Sequence, residues 1–556
     1  MGKTAGDALM DILVEWGVEY IFGMPGDSIN SLMEPLRKHK QIKFIQVRHE
    51  EVGALAASSY AKLTGKLGVC MAIAGPGAIH LLNGLYDAKM DGVPVLAITG
   101  QVETDLLGTD FFQEVKLDRL YDDVAVYNQR AMSAEQLPTI ANQAIRMALT
   151  HRGVAHLNIP DDIPRFEIER EARVTNTILV RSIVMPHPAD LDSAVALLSE
   201  HRKTVILAGR GTHGAQEQLL SFAEKIKAPI VLTLPAKGAI PDDHPYSLGG
   251  LGLLGTKPAY HAMRESETLV MIGTSFPFTG FLPKNAKTIQ IDTNPAQIGK
   301  RYAVDIGLAG DAAFTLQNLC DRLPEKTDAG FLSKRQGEMK DWLKKMKHQG
   351  QSDHIPLRPQ TVPVALQEVI REDAIISCDV GNVTVWMARN FIVHRQKLIT
   401  SSWLATLGCG LPGAIAGKLA FPDRQVVAVV GDGGFAMTMS DFVTAVKYEL
   451  PIVVIVLNNS KIAMIKFEQE TMGNAEFQTN LLNPDFARFA EDCGGVGYRV
   501  ETRDALKEAL RKAFADNKPA IIDVLVNPNE APMPAHVSFM QAKNYAVHVL
   551  KELFED

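Results

Sequence analysis

The sequence of 556 residues predicts an α/β protein with three doubly wound parallel-sheet domains. Two patterns and the length predict this class. Short apolar, β-branched runs alternate with helix-length amphipathic segments, as in the βαβ units that build parallel sheets. Glycine-bearing or acidic turns follow several of these runs, at the strand ends where open α/β sheets bind ligands. The length corresponds to about three domains at roughly 100–200 residues each.

Composition narrows the class further. The net charge is −7 and the sequence carries no dense basic patch, which argues against a nucleic-acid partner. No apolar run approaches the ~18–20 residues that span a bilayer. The N-terminal segment is typical of an amphipathic helix rather than of a secretory signal. The five widely spaced cysteines lack a CxxC pair, which indicates free thiols and a cytoplasmic location.

The first predicted domain spans residues 1–180. Strand-like runs at 20–22, 69–74, 93–99 and 156–159 alternate with helix-like segments at 29–36 and 78–89. A turn with Gly26 and Asp27 follows the first run, and the glycine turn 75–77 follows a later one. Both turns are therefore expected at carboxyl strand ends, where a ligand would bind.

Glu50 lies in the segment His49-Glu50-Glu51, directly before an alanine-rich helix predicted at 54–60. A carboxylate beside such a helix can be held tightly between subunits, and partial burial would raise its pKa. Acidic residues also occur at exposed helix starts, because they interact favourably with the helix dipole. Taken alone, this segment favours the exposed interpretation.

The second predicted domain spans residues 182–345 and repeats the alternation of strands and helices. Its turns carry the residues Gly209, Gly211, Gly273, Thr274, Asp292 and Asn294. Acidic residues at strand ends bind ribose hydroxyls and glycine turns admit a pyrophosphate, although ordinary α/β turns explain this pattern equally well. The charged, strand-poor stretch 324–363 predicts a solvated helix and a linker.

The third predicted domain spans residues 355–556. An apolar run at 426–430 predicts a buried strand, and the GDGG turn 431–434 and a helix at 435–448 follow it. A second buried strand at 452–457 ends in two asparagines. A last strand at 520–526 leads to an amphipathic C-terminal helix at 536–556.

The GDGG turn and the two asparagines predict a metal–diphosphate site. In a right-handed βαβ unit both strands end at the same edge of the sheet, so Asp432 and Asn459 are expected to converge. Carboxylate and amide oxygens are ligands that Mg²⁺ prefers, together with phosphate oxygens. Gly431, Gly433 and Gly434 free backbone N–H groups at a helix start, where the dipole favours a phosphate.

Several motifs along essentially the whole chain agree with one family. They are RHEEVGALAA (48–57), AGPGAIHLLNGLYDA (74–88), FFQE (111–114), LPAKG (234–238), QIDTNPAQIGKR (290–301), CDVGN (378–382), GDGG with NN, and IKFEQE (465–470). Together they resemble the thiamine diphosphate (ThDP)-dependent decarboxylase superfamily, most closely its FAD-dependent pyruvate oxidases. The resemblance implies a pyrimidine-binding, a central FAD-type and a diphosphate-binding domain. It also implies a homodimer at least, and a homotetramer is expected.

The resemblance implies roles for individual residues. Glu50 resembles the glutamate that hydrogen-bonds the aminopyrimidine ring, and Leu407 takes the place of an apolar residue, often Met, that supports bent ThDP. Asp432, Asn459 and the backbone carbonyl of Lys461 resemble Mg²⁺ ligands. The groups near the flavin and the reacting carbon are Asp27, His80, Phe112, Gln113, Ile465 and Glu468. Further cofactor-binding positions are Gly26, Asp379, Val380, Gly381, Gly431, Gly433, Gly434, Gly209, Gly211, Thr233, Lys237, Gly273, Thr274, Asp292, Asn294 and Asp311.

The implied activity is oxidative decarboxylation of pyruvate to acetate or acetyl phosphate and CO₂. It would use ThDP, Mg²⁺ and FAD and pass electrons to O₂ or a quinone. Asp27 matches the acetate-forming, quinone-linked relatives, which carry Asp at this position. A carboxylate beside the acyl group repels a phosphate dianion by ~1–4 kcal/mol. Water is therefore favoured as the acyl acceptor. Their longer lipid-binding tail is missing, so at most weak peripheral membrane contact is expected.

Two alternatives stay open. The first is a non-oxidative carboligase or decarboxylase that resembles acetolactate synthase and holds FAD structurally. The second is a catalytically silent ThDP- or flavin-binding protein. The joint presence of Glu50, Asp432 and Asn459 speaks against the second alternative.

Overall fold

The computed structural model describes residues 2–169, 182–200 and 202–532. These residues form three six-stranded sheets, and the strand pairs within each sheet are parallel. The predicted fold class is thereby confirmed. The domain boundaries at 1–180, 182–345 and 355–556 stay a prediction, and the C-terminal helix predicted at 536–556 lies outside the described residues.

The first sheet has the strand order β2-β1-β3-β4-β6-β5. Its strands are β1 (Tyr20–Gly23), β2 (Lys43–Gln46), β3 (Gly68–Ala72), β4 (Val95–Gln101), β5 (Ala125–Arg130) and β6 (Val154–Pro160). Its helices are α1 (Ala5–Glu15), α2 (Asn30–Lys38), α3 (Glu50–Thr64), α4 (Pro76–Met90), α5 (Leu117–Leu120) and α6 (Leu137–His151). Every residue of β3, β4 and β6 is buried, because helices cover both faces of the sheet.

The second sheet has the strand order β12-β11-β10-β7-β8-β9. Its strands are β7 (Thr204–Ala208), β8 (Ile230–Leu232), β9 (Ser247–Gly250), β10 (Thr268–Ile272), β11 (Lys287–Asp292) and β12 (Ile306–Ala309). Its helices are α7 (Pro188–Glu200), α8 (Gln216–Lys225), α9 (Lys257–Glu265), α10 (Ala312–Arg322) and α11 (Gly330–Gln349).

The third sheet has the strand order β14-β13-β15-β16-β18-β17. Its strands are β13 (Ile375–Cys378), β14 (Lys397–Ile399), β15 (Val426–Gly431), β16 (Val453–Asn458), β17 (Val496–Val500) and β18 (Ala520–Leu525). Its helices are α12 (Thr361–Gln367), α13 (Asn382–Asn390), α14 (Gly410–Ala420), α15 (Asp432–Thr438), α16 (Phe442–Lys447), α17 (Ala463–Thr471), α18 (Phe486–Asp492) and α19 (Arg503–Ala515).

Two local predictions were wrong. The helix predicted at 435–448 is divided into α15 and α16 by a tight turn at Met439–Asp441. At this turn the buried Asp441 carboxylate accepts the Arg48 amide of the first sheet's domain and the Thr444 hydroxyl. The helix predicted to be solvated is α11. One face of α11, which carries Arg335 and Met339, is buried against the domain of the central sheet.

Candidate active site

The ends of β15 and β16 place Asp432 and the two asparagines side by side. Gly431 of β15 is paired with Leu457 of β16, so the residues that follow them emerge at one edge of the sheet. Asp432 opens α15, and its side chain is buried. The convergence expected from the βαβ pattern is therefore present.

Asn483 connects the two strand ends and has no counterpart in the sequence prediction. Its side-chain amide donates to Asp432 Oδ2 at 2.7 Å and to Asn458 Oδ1 at 3.0 Å. Asn458 in turn donates to Asp523 Oδ1 at 2.9 Å. Asn458 is therefore committed to the protein interior, which leaves Asn459 as the asparagine that can turn its oxygen towards a ligand.

Burial raises the pKa of Asp432 to about 6, against the opposing effect of Asn483 and the Gly433 and Ser460 amides. A bound divalent cation would balance the negative charge of this buried carboxylate. Asn459 Oδ1 accepts the Lys461 amide at 3.0 Å, and the Lys461 ammonium pairs with Glu476 at 2.5 Å. The carboxylate and amide oxygens thus fit a Mg²⁺ ion, and Lys461 can contribute only its carbonyl.

Asp379 lies beneath the same edge of the sheet with its carboxylate turned into the protein. Its Oδ1 accepts the Val380 amide at 2.7 Å and the Gly408 amide at 3.0 Å, which fixes the turn after the half-buried Leu407. Its Oδ2 is buried without a hydrogen-bond partner, and burial raises its pKa to about 6. A Cβ at Gly434 would lie 2.9 Å from that oxygen, so only glycine fits there. Gly381, with φ of 111°, leads into α13.

Glu50 begins α3 and is only 8% exposed, so the interpretation as an exposed helix start was wrong. Its Oε2 is 2.9 Å from His80 Nδ1, and the His80 ring stacks on the His49 ring with 4.4 Å between centroids. A Cβ at Gly77 would lie 3.0 Å from Glu50 Oε1, so the glycine turn 75–77 leaves the space that the carboxylate uses.

The other predicted residues of the first sheet lie around this turn. Phe112 is 71% exposed, and a Cβ at Gly75 would lie 2.9 Å from the carbonyl oxygen of Gln113. Gly26 packs against Ile73, and the exposed Asp27 accepts the Ser28 amide at 2.8 Å. These residues form one group at the carboxyl edge of the first sheet.

Ile465 and Glu468 lie on α17 of the third sheet's domain, both exposed. They are three residues apart on one helix and therefore share a face. They lie in the same domain as Asp432, whereas Glu50 and His80 lie in the domain of the first sheet.

The glycine turns of the central sheet meet by their backbones. A Cβ at Gly209 would lie 2.4 Å from the carbonyl oxygen of Gly273 and equally close to Thr274, and a Cβ at Gly211 would lie 2.7 Å from the Gly273 Cα. Asp292 ends the neighbouring strand β11 and accepts the Asn294 amide at 2.9 Å. These six residues are therefore gathered at one edge, where glycine turns and a carboxylate suit a dinucleotide.

Three predicted central residues have structural partners instead. Asp311 caps α10 by accepting the Phe314 amide at 3.2 Å. The buried Lys237 pairs with Asp242 at 2.5 Å, and both line a pocket with Thr233. A cofactor contact by these side chains stays a prediction.

Three family models match the chain. The thiamine pyrophosphate enzyme N-terminal TPP binding domain matches residues 3–121, the central domain matches residues 191–319, and the C-terminal TPP binding domain matches residues 379–524. The chain belongs to the thiamine pyrophosphate enzyme family. The resemblance inferred from the motifs is thus confirmed, and the Glu50 and Asp432 groups lie within the two matches described as TPP-binding.

Similarity to individual members of the thiamine pyrophosphate enzyme family covers nearly the whole chain. YdaP of Bacillus subtilis, named as a thiamine pyrophosphate-containing protein, is 49% identical over 100% of this chain and 97% of its own length. Pyruvate oxidase of Lactiplantibacillus plantarum is 37% identical over 96% of this chain and 90% of its own. Acetolactate synthase of Mycobacterium bovis is 34% identical over 96% of this chain and 89% of its own.

The searched part of this thiamine pyrophosphate enzyme, which is its described residues, contains no helix with the length and apolar character to cross a bilayer. The five cysteines are free thiols, as predicted.

Proposed function

We propose that this thiamine pyrophosphate enzyme is a pyruvate oxidase that depends on ThDP, Mg²⁺ and FAD. It would convert pyruvate oxidatively to CO₂ and acetate or acetyl phosphate, with electrons passed through FAD to O₂ or a quinone. The buried Glu50, 2.9 Å from His80 Nδ1, carries the proposal, because it offers a shielded carboxylate that can share a proton. The 37% identity to a pyruvate oxidase supports the choice of reaction.

The third sheet would hold the coenzyme's diphosphate. Asp432, Asn459 and the Lys461 carbonyl would bind Mg²⁺, and the backbone N–H groups of the turn 431–434 would approach the phosphate oxygens. Asp379 would fix the turn in which Leu407 supports the coenzyme. Val380 and Gly381 would line the same edge.

Glu50 would share a proton with the aminopyrimidine ring of the coenzyme, and His80 would hold the carboxylate at that ring through its 2.9 Å contact. Bound ThDP supplies the nucleophile and the electron sink for decarboxylation, and bound FAD accepts the electrons. Phe112, Gln113, Ile465 and Glu468 would surround the reacting carbon.

The gathered central turns would bind FAD. Gly209, Gly211 and Gly273 bring the backbones of their two turns into contact, and this paired backbone would approach the pyrophosphate, while Asp292 would bind ribose hydroxyls. Asp27 would disfavour phosphate near the acyl group, so water is the proposed acyl acceptor. We place the enzyme in the cytoplasm as a homotetramer.

A second candidate is non-oxidative carboligation, favoured by the 34% identity to an acetolactate synthase. Anaerobic addition of pyruvate to the flavin-loaded enzyme separates the two functions. An oxidase loses the yellow flavin absorbance, and on reoxidation it yields acetate or acetyl phosphate, quantified with and without phosphate. Release of CO₂ while the flavin stays oxidised would contradict the oxidase and support the carboligase.

A further inference from the structure

The loop between β4 and α5 has an unfavourable backbone and an exposed apolar tip. Gly108, Asp110 and Gln113 have φ of 81°, 56° and 63°, in the left-handed region that residues with a side chain disfavour. Phe112 lies at the tip and is 71% exposed. Such a conformation persists only where neighbouring groups determine it.

Glu114 supplies the contacts that determine this conformation. Its carboxylate accepts the Gly108 amide at 2.6 Å and the Phe111 amide at 3.3 Å, and the Thr109 and Asp110 amides also face it. These amides, the Gly108 amide first, lower the pKa of Glu114. One side chain thus satisfies a ring of backbone donors around the tip.

The base of the loop is held independently of Glu114. Gln101 Nε2 donates to the Val115 carbonyl at 2.8 Å, and Thr104 Oγ1 donates to Asp162 Oδ2 at 2.5 Å. Loss of the Glu114 carboxylate would therefore release the tip and leave the loop's ends in place.

We propose that Glu114 is a positioning residue that holds Phe112 and Gln113 at the substrate. The inference rests on the proposed function, in which Phe112 and Gln113 surround the reacting carbon. The backbone of Gln113 packs on Gly75, and Gly77 of the same turn packs on Glu50. A released tip would move both side chains away from the reacting carbon.

The test compares Glu114→Ala and Glu114→Gln with the control Glu103→Gln in enzyme loaded with ThDP, Mg²⁺ and FAD. Glu103 lies near the start of the same loop and pairs with Arg165 at 3.2 Å. Glu114→Ala is expected to lower kcat/KM for pyruvate about 100-fold, as misplaced groups do, with unchanged melting temperature and coenzyme content. The kcat/KM of Glu114→Gln, which keeps one acceptor oxygen, should lie between those of the wild type and Glu114→Ala. The kcat/KM of the control Glu103→Gln should equal that of the wild type.

A double-mutant cycle separates positioning from a general structural role. In a Phe112→Ala/Gln113→Ala background, Glu114→Ala should lower kcat/KM little further, because the two side chains that Glu114 positions are already absent. Hydrogen exchange should accelerate at amides 108–111 in Glu114→Ala. An equally large loss in both backgrounds, or wild-type kcat/KM despite faster exchange, would overturn the positioning role. Absence of pyruvate-driven flavin reduction in the wild type would instead contradict the proposed function, with the exchange result unaffected.

Discussion

One buried histidine in this enzyme has defined hydrogen-bond partners and a shifted pKa. His156 is buried, with Nε2 2.7 Å from the Thr99 hydroxyl and Nδ1 2.7 Å from Asn128 Oδ1, and it stacks on Tyr121 at 3.8 Å between centroids. Burial lowers its pKa from 6.5 to about 3. The folded protein therefore holds a neutral imidazole, with one nitrogen donating and the other accepting.

His156 should make the protein sensitive to acid. Between pH 6.5 and about 3 the unfolded chain binds a proton on this imidazole that the folded chain does not. The free energy of unfolding is therefore expected to decrease as the pH is lowered through this window, by up to ~1.4 kcal/mol per pH unit. His156→Gln should lower the melting temperature at pH 7 but flatten its decline towards pH 4. The control His151→Gln, at an exposed position, should keep the wild-type decline; an equally steep decline in His156→Gln would contradict this account.

Elements cross closely where small residues permit it. A Cβ at Gly84 of α4 would lie 2.5 Å from the Leu55 amide and 2.6 Å from the Ala54 carbonyl carbon of α3, which are backbone atoms that cannot turn aside. Glu50 lies at the start of α3, so this helix contact also positions the candidate catalytic carboxylate.

Gly84→Ala tests this helix crossing. Overpacking is expected to cost ~1–3 kcal/mol of stability, seen as a lower melting temperature. Gly337 of α11 is the matched control, because a Cβ there meets nothing within 4 Å. Gly337→Ala should stabilise the helix by ~0.5–1 kcal/mol. Equal effects of the two substitutions would refute the packing explanation.

The elements that could be predicted from the sequence are those fixed by local patterns. The runs around the GDGG turn specify β15 and β16, and the βαβ rule then brings Asp432 to Asn459. Burial of Glu50 could not be predicted, because it depends on the glycine turn 75–77 contributed by another segment. Asn483 carried no signal, since it is a lone loop asparagine whose role arises from its contacts with Asp432 and Asn458.

Across the whole molecule, one buried charge cluster joins the first and third sheets' domains. The Lys62 ammonium lies 2.7 Å from Asp87 and 2.6 Å from Asp91, and it donates to the Thr400 carbonyl at 3.1 Å. Ser402 of the third sheet's domain also donates to Asp91. The Lys62 ammonium thus pairs with both buried carboxylates, and the Arg210 guanidinium lies 3.9 Å from Asp91 as a second cation.

Lys62→Met is expected to leave Asp87 without a cationic partner and Asp91 with only the longer Arg210 contact, and to cost ~3–5 kcal/mol, with loss of cooperativity between the domains in calorimetry. The control is Lys66→Met. Lys66 forms an exposed ion pair with Glu19, and such pairs contribute ~0–1 kcal/mol. A melting temperature for Lys62→Met close to that of Lys66→Met would show that the cluster does not hold the domains together.

Asp432 and Asn459 are proposed to anchor a magnesium–diphosphate group. Calorimetric titration of ThDP with and without Mg²⁺ tests this proposal. Binding to the wild type is expected to depend on Mg²⁺, and Asp432→Asn should lose about 100-fold or more in affinity, since even outer partners of a metal contribute 10–100-fold. Asp423→Asn, at an exposed position before β15, should bind like the wild type. Equal affinity in Asp432→Asn, or binding that does not depend on Mg²⁺, would contradict the claim.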